Sequence, residues 1–242
     1  MKNNCFTRRN MIAFASATAG LTLVPLQTFA RVSTAGKIEK DPKHKKIGIV
    51  LFDGFETLDV FGPVQMWGRL KDYEVVTVCQ NGNVARSSQG LETGCRYSFD
   101  NAPQFEILMV PGGAGTREQV NNSTMLDFLR HQNRATEWTT SVCTGAALLA
   151  KAGILDDHKA TTNKNAWTWV TNHSKLVKWQ PRARWVFDGK YVTSSGVSAG
   201  TDMALALVEQ IYGKEIAQQT ARLAEYVWSG DSTNDPFAIT VK

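Results

Sequence analysis

The sequence predicts an α/β domain built on a mostly parallel sheet with helices on both faces. Three observations carry this. Continuous apolar runs, of the kind buried on both faces of a parallel sheet, recur at Lys46–Phe52 and Glu106–Val110. Turn-forming residues stop each run, at Asp53-Gly54 and at Pro111-Gly112-Gly113. Segments with helical periodicity follow the runs, and that alternation is the pattern of a parallel sheet covered on both sides. A chain of 242 residues suits one sizeable domain of this class.

Taken in order, Lys46–Phe52 is the first strand, and Thr57 is placed to cap a helix running through Val60 to about Leu70. Tyr73–Cys79 is the second strand. Residues 84–99 alternate in polarity and contain Gly90 and Gly94, which predicts a hairpin excursion. Glu106–Val110 follows as a buried strand, with an amphipathic helix near Met125–Arg134. Trp138–Val142 is the next strand. It runs into Cys143-Thr144-Gly145 and then a helix over Ala146–Ala152, closed by Gly153. Trp185–Thr193 reads as a hairpin turning at Asp188-Gly189. Asp202–Tyr212 is helical in period with Gly213 as its stop, and residues 214–228 predict a last helix.

The composition, 43% hydrophobic and 20% charged, is ordinary for a globular protein. The formal net charge is +5, but Lys2, Arg8 and Arg9 lie in a first stretch of thirty residues that holds no acid. The basicity belongs largely to that stretch and does not point to nucleic acid. Arg8-Arg9 followed by a mildly apolar run to Ala30 is the layout of a twin-arginine export signal over residues 1–30. An uncleaved anchor is the alternative. The lysine-rich residues 31–45 read as a linker, the folded domain as residues 46–242, and the destination as periplasmic or secreted with no stable membrane association after cleavage. Of the four cysteines, Cys5 leaves with the signal, so Cys79, Cys95 and Cys143 remain and at least one is unpaired or bridges chains. Cys79 and Cys95 could form a disulfide. No Cys/His cluster has metal-ligand spacing, so no metal is expected.

Cys143 stands between a strand and a helix, on the tight turn that lifts a nucleophile above the carboxyl edge of a sheet. The helix amino end would favour its thiolate. Taken alone, an inert buried cysteine fits the pattern equally well. Asp59, in Leu58-Asp59-Val60-Phe61-Gly62-Pro63, either complements its own helix or exchanges a proton with the thiol. The amides of Gly112, Gly113 and Thr144 are candidate donors to a developing anion; a plain glycine turn is the alternative.

Val142-Cys143-Thr144-Gly145-Ala146, Lys159-Ala160-Thr161-Thr162, Ser195-Gly196-Val197-Ser198-Ala199-Gly200-Thr201-Asp202 and Asp235-Pro236-Phe237 together resemble the DJ-1/PfpI superfamily, over about residues 46–238. The match looks like its isonitrile hydratase branch, and like the domain fused to DNA-binding modules in some transcription regulators. The resemblance implies a flavodoxin-like three-layer sandwich, a homodimer and a small-molecule substrate. It assigns Cys143 as nucleophile, Asp59 as its proton-exchanging neighbour and Thr144 as a hydrogen-bond partner of the reacting group. The implied reaction adds water to an isonitrile to give an N-substituted formamide. A glyoxalase-like enzyme acting on reactive carbonyls, and a non-enzymatic sensor or stress protein, are the alternatives. The chain departs from many relatives at Asn163, where they carry histidine. Asparagine binds a substrate but does not shuttle a proton, which argues against a Cys-His-acid triad. The adjacent Lys164 is expected to be solvated, the alternative being that it holds a thiolate.

Overall fold

The computed structural model describes residues 45–240; the stretch read as an export signal, and all of the stretch read as a linker but Lys45, lie outside the described residues. The strands are β1 (Lys45–Val50), β2 (Tyr73–Cys79), β3 (Val84–Arg86), β4 (Glu92–Gly94), β5 (Tyr97–Ser98), β6 (Ile107–Val110), β7 (Trp138–Val142), β8 (Lys159–Ala160), β9 (Lys178–Trp179), β10 (Trp185–Asp188) and β11 (Tyr191–Ser194). The helices are α1 (Thr57–Trp67), α2 (Thr116–Gln119), α3 (Ser123–Asn133), α4 (Gly145–Lys151), α5 (Trp167–Thr171), α6 (Ala199–Tyr212) and α7 (Lys214–Leu223). Lys45, read as linker, is the first residue of β1, where its Nζ reaches Glu137 at 2.8 Å.

Seven strands form the main sheet in the order β10-β11-β7-β6-β1-β2-β5. All neighbours are parallel except the β10–β11 hairpin. The chain moves outward from β1 to β2 and then returns past β1 to β6, so the connections reverse direction at the centre of the sheet. Open α/β sheets bind ligands at the carboxyl ends of strands beside such a reversal. The central strands are apolar because both faces are covered: Ile47, Ile49, Ile107, Leu108 and Met109 are all fully buried.

Most sequence expectations hold, with local corrections. Thr57 is not the cap of α1 but its first residue; the cap position is Glu56, and the Thr57 amide and hydroxyl both donate to Gln89 Oε1. The helix stops at Trp67, short of Leu70, because the chain must turn into β2. The hairpin excursion is β3 with β4, after which β5 joins the sheet edge beside β2. Cys79 and Cys95 form a disulfide with their Cα atoms 5.9 Å apart, which leaves Cys143 as the free thiol among the described residues. The last helix ends at Leu223 rather than 228. Beyond it Tyr226 Oη and the Ser229 amide donate to Asp202 Oδ1, and Trp228 Nε1 to the Asp202 carbonyl, so the chain folds back along α6.

Candidate active site

Four adjacent strands, β11, β7, β6 and β1, end at one edge, and each delivers one part of the site. The Cys143 turn follows β7, Gly112-Gly113 follows β6, Ser195-Gly196 follows β11, and Asp59 lies in the first turn of α1 after β1.

Cys143 has φ +57°, a left-handed conformation that costs a non-glycine residue about 1–2 kcal/mol. Its backbone is tied at both poles. The amide donates to the carbonyls of Ser194 and Ser195 at 3.2 and 3.1 Å, and the carbonyl accepts from Thr162 Oγ1 at 2.7 Å. The strain is thus held by hydrogen bonds from neighbouring segments, and the side chain is aimed off the sheet edge as the sequence pattern predicts.

Asp59 is fully buried, and its Oδ2 accepts from the Gly112 amide at 2.8 Å. Oδ1 has no hydrogen-bond partner of ordinary geometry, which leaves it available to the thiol or to a bound molecule. Burial pushes the Asp59 carboxyl up to about 8; the Gly112 amide opposes this, Glu56 adds repulsion, and the approach of the Cys143 thiol opposes it weakly. The same burial pushes the Cys143 thiol well above its ordinary value, and the Asp59 carboxylate pushes it further. Hydrogen bonds from the Thr144 amide, Asn163 and the Thr144 hydroxyl pull the other way but do not win. This corrects the expectation of a resting thiolate. The field at the start of α4 is outweighed by desolvation, and an ionised Asp59 would raise the thiol further, so burial favours the protonated form of both groups.

The expected anion donors are also reassigned. The Gly112 amide is taken by Asp59, and the Gly113 amide donates to Thr144 Oγ1 at 3.0 Å. The Thr144 hydroxyl also accepts from Thr116 Oγ1 at 3.1 Å, so it ties the glycine loop as well as reaching the Cys143 sulfur. Of the three amides, only that of Thr144 acts at the reactive atom, the Cys143 sulfur. Gly113, at φ +124°, permits the loop to pass close to the Gly54 carbonyl.

Asn163 falls where the sequence places it. Its side chain donates to the Cys143 sulfur, and its Oδ1 accepts from the Ala166 amide at 3.0 Å, which fixes the amide's orientation. Two of the described histidines are used elsewhere: His158 pairs with Asp188 and His173 packs on Trp169. Lys164 is not solvated. It is buried, with Nζ donating to Thr161 Oγ1 at 2.6 Å and to the Ala183 carbonyl at 2.8 Å, and burial lowers it to about 8.

Sequence reasoning gave no role to Ser195 and Gly196. A Cβ on Gly196 would clash with Asn163 Nδ2 and stand 2.9 Å from Cys143 Sγ, so glycine is what gives the sulfur and the amide room. The available signal was a small-residue pair directly after a β-rich run; its relevance depends on β11 lying beside β7. Among the described residues no His/Cys/Asp/Glu group could hold a metal, and no helix is long and apolar enough to cross a membrane.

Comparison with known proteins agrees with this geometry. The chain is 34% identical to an isonitrile hydratase of Pseudomonas putida over 181 residues, covering 75% of this chain and 78% of that protein. It is 28% identical to the transcriptional regulator GbdR of Pseudomonas aeruginosa, but spans only 51% of that protein's length. A ThiJ/PfpI family protein from Pseudomonas syringae superposes with a TM-score of 0.68 at 26% identity, covering 83% of this chain and 84% of that one. Drosophila melanogaster DJ-1beta gives the same TM-score at 21% identity, covering 76% and 100%, and so shares the fold. The DJ-1/PfpI family model matches residues 45–210, and the chain belongs to the DJ-1/PfpI family.

Proposed function

We propose that the protein is a cysteine-dependent hydratase that converts an isonitrile to an N-substituted formamide. The observation that carries this reading is the buried Cys143–Asp59 pair, in which both partners keep their protons near neutral pH. The terminal carbon of an isonitrile must receive a nucleophile and a proton at one atom. A thiol beside a protonated carboxyl can supply both. The Cys143 sulfur forms the C–S bond as its proton passes to Asp59, and Asp59 delivers a proton to the same carbon, giving a thioimidate. Water then adds to that carbon and the nitrogen takes up a proton. The C–S bond breaks, the sulfur regains a proton, and the formamide departs. No net redox change occurs. The similarity to an isonitrile hydratase supports the substrate class.

The regulator among the relatives, and the near-complete burial of Cys143, favour a second reading as a small-molecule sensor. Purified protein incubated with alkyl and aryl isonitriles should release the matching formamide, and Cys143→Ala should not. Saturable isonitrile binding without formamide would support the sensor, and lactate from 2-oxoaldehydes would support a glyoxalase-like enzyme.

The protein is proposed to act after export. The Cys79–Cys95 disulfide supports an oxidising compartment. In cell fractionation, Arg8→Lys together with Arg9→Lys should hold the precursor inside the cell, because the arginine pair is read as an address. Undiminished export of that variant would reject the twin-arginine route.

A further inference from the structure

Asn163 and Gly196 have two sets of neighbours. On one side both stand against the Cys143 sulfur. On the other they wall a cavity of about 200 Å³, to which Ser195, Val197 and Phe237 also contribute. Ser195 Oγ is buried with no hydrogen-bond partner among the described residues. A buried hydroxyl left unmatched carries a desolvation cost that a bound polar group would relieve.

Phe237 is a large aromatic left 66% exposed at this cavity. It belongs to the tail beyond α7, which has no helix or strand up to residue 240. The tail is nonetheless anchored. The Arg184 amide donates to the Ser232 carbonyl at 2.8 Å, and the Asp235 amide to the Arg182 carbonyl at 3.1 Å. The buried Asp235 carboxylate accepts from the Phe237 amide at 2.9 Å and lies 3.8 Å from Lys164 Nζ and 3.9 Å from the Arg184 guanidinium. A carboxylate tolerates such burial only beside compensating charge, so the pairing with Lys164 pins the tail to the loop that carries Asn163. What this fixes is the position of Phe237.

We infer that Phe237 is a specificity-determining residue: with Val197 it forms the apolar wall for the substituent of the molecule attacked by Cys143, while Asn163 and Ser195 meet the polar reacting end. The substrate class selected is a small molecule whose reacting group carries a compact hydrocarbon substituent. For the identity of the reacting group this rests on the isonitrile reading; for the pocket it does not.

The test uses the exported protein and its variants Phe237→Ala and Phe237→Leu. One measurement is kcat/KM for cyclohexyl isonitrile relative to methyl isonitrile. The other is the rate of Cys143 alkylation by N-benzyl iodoacetamide relative to iodoacetamide, followed by mass spectrometry. Phe237→Ala should lower both ratios about tenfold, the isonitrile effect lying mainly in KM, because an apolar contact of this size discriminates by about 10–200-fold. Phe237→Leu should recover most of the loss. Unchanged ratios in Phe237→Ala overturn the inference. If no isonitrile is turned over, the alkylation ratio alone decides: a fall keeps the pocket and rejects only the isonitrile reading, and an unchanged ratio rejects the pocket.

Discussion

The two halves of the site are built differently. On the β1–β6 side, Asp59, Gly112, Gly113 and Thr144 sit at the ends of central elements, buried and joined by hydrogen bonds of 2.8 and 3.0 Å. On the β11 side, Asn163, Ser195, Gly196 and Phe237 are carried by loops and by a tail without regular structure. The first half controls where protons reside, through burial. The second shapes the space a reactant enters. Loop-borne residues can vary with little disturbance to the buried core, Asn163 being the one that also bears on the Cys143 sulfur.

The largest effects should come from breaking the buried half. Cys143→Ala should abolish turnover, and Asp59→Asn should lower it by about 10²–10⁴-fold, since it retains an acceptor for the Gly112 amide but loses the exchangeable proton. The double variant should be no worse than Cys143→Ala, because the two act as one unit. The sign of the pH dependence follows from the direction of the Asp59 shift. A carboxyl raised to about 8 is protonated below that pH, so kcat/KM should be level at neutral pH and fall as pH rises through about 8. Stability follows the same proton. The folded state holds it and the unfolded state, titrating near 4, does not, so the Asp59 contribution to stability is lost progressively between about pH 4 and 8. Asp59→Asn should remove that loss and show a flatter melting profile over the same range. A kcat/KM profile that rises through pH 8 would reject Asp59 as the proton donor.

A smaller pair of changes sharpens the contrast between the halves. Asn163→Ala removes a donor to the sulfur and should lower kcat by about 10–100-fold, the worth of a hydrogen bond to a charged group, with little change in melting temperature. Thr144→Val leaves the buried Gly113 amide without its acceptor, and should destabilise the fold by about 1–3 kcal/mol. Parallel denaturation and kinetic measurements check both. Equal stability losses in the two variants would remove the distinction between a buried half tied into the fold and a loop-borne half.

Much of this was legible in the chain itself. The strand at Trp138–Val142, the nucleophile turn at Cys143 and the hairpin around Asp188-Gly189 depend on local propensity and on residues that allow unusual backbone angles, and they lie where the pattern placed them. Asp59 and Asn163 were recognisable as candidates because short motifs carried them. The direction of the Cys143 shift was not legible. A cysteine at a helix start reads as a thiolate, but the outcome depends on complete desolvation and on a carboxyl 84 positions earlier in the sequence. The Gly112 and Gly113 amides read as free donors for the same reason: the partners that occupy them are distant in sequence. Lys164 read as solvated because its counter-charge, Asp235, lies in the tail. What the sequence by itself determined was the succession of elements, the candidate nucleophile and the turn that presents it, since these are properties of neighbouring residues. Only the tertiary structure decided the direction of the pair's pKa shifts, the employment of each amide and the place of Phe237 at the cavity. Those depend on burial and on contacts between segments that become neighbours only when β11, β7, β6 and β1 are laid side by side.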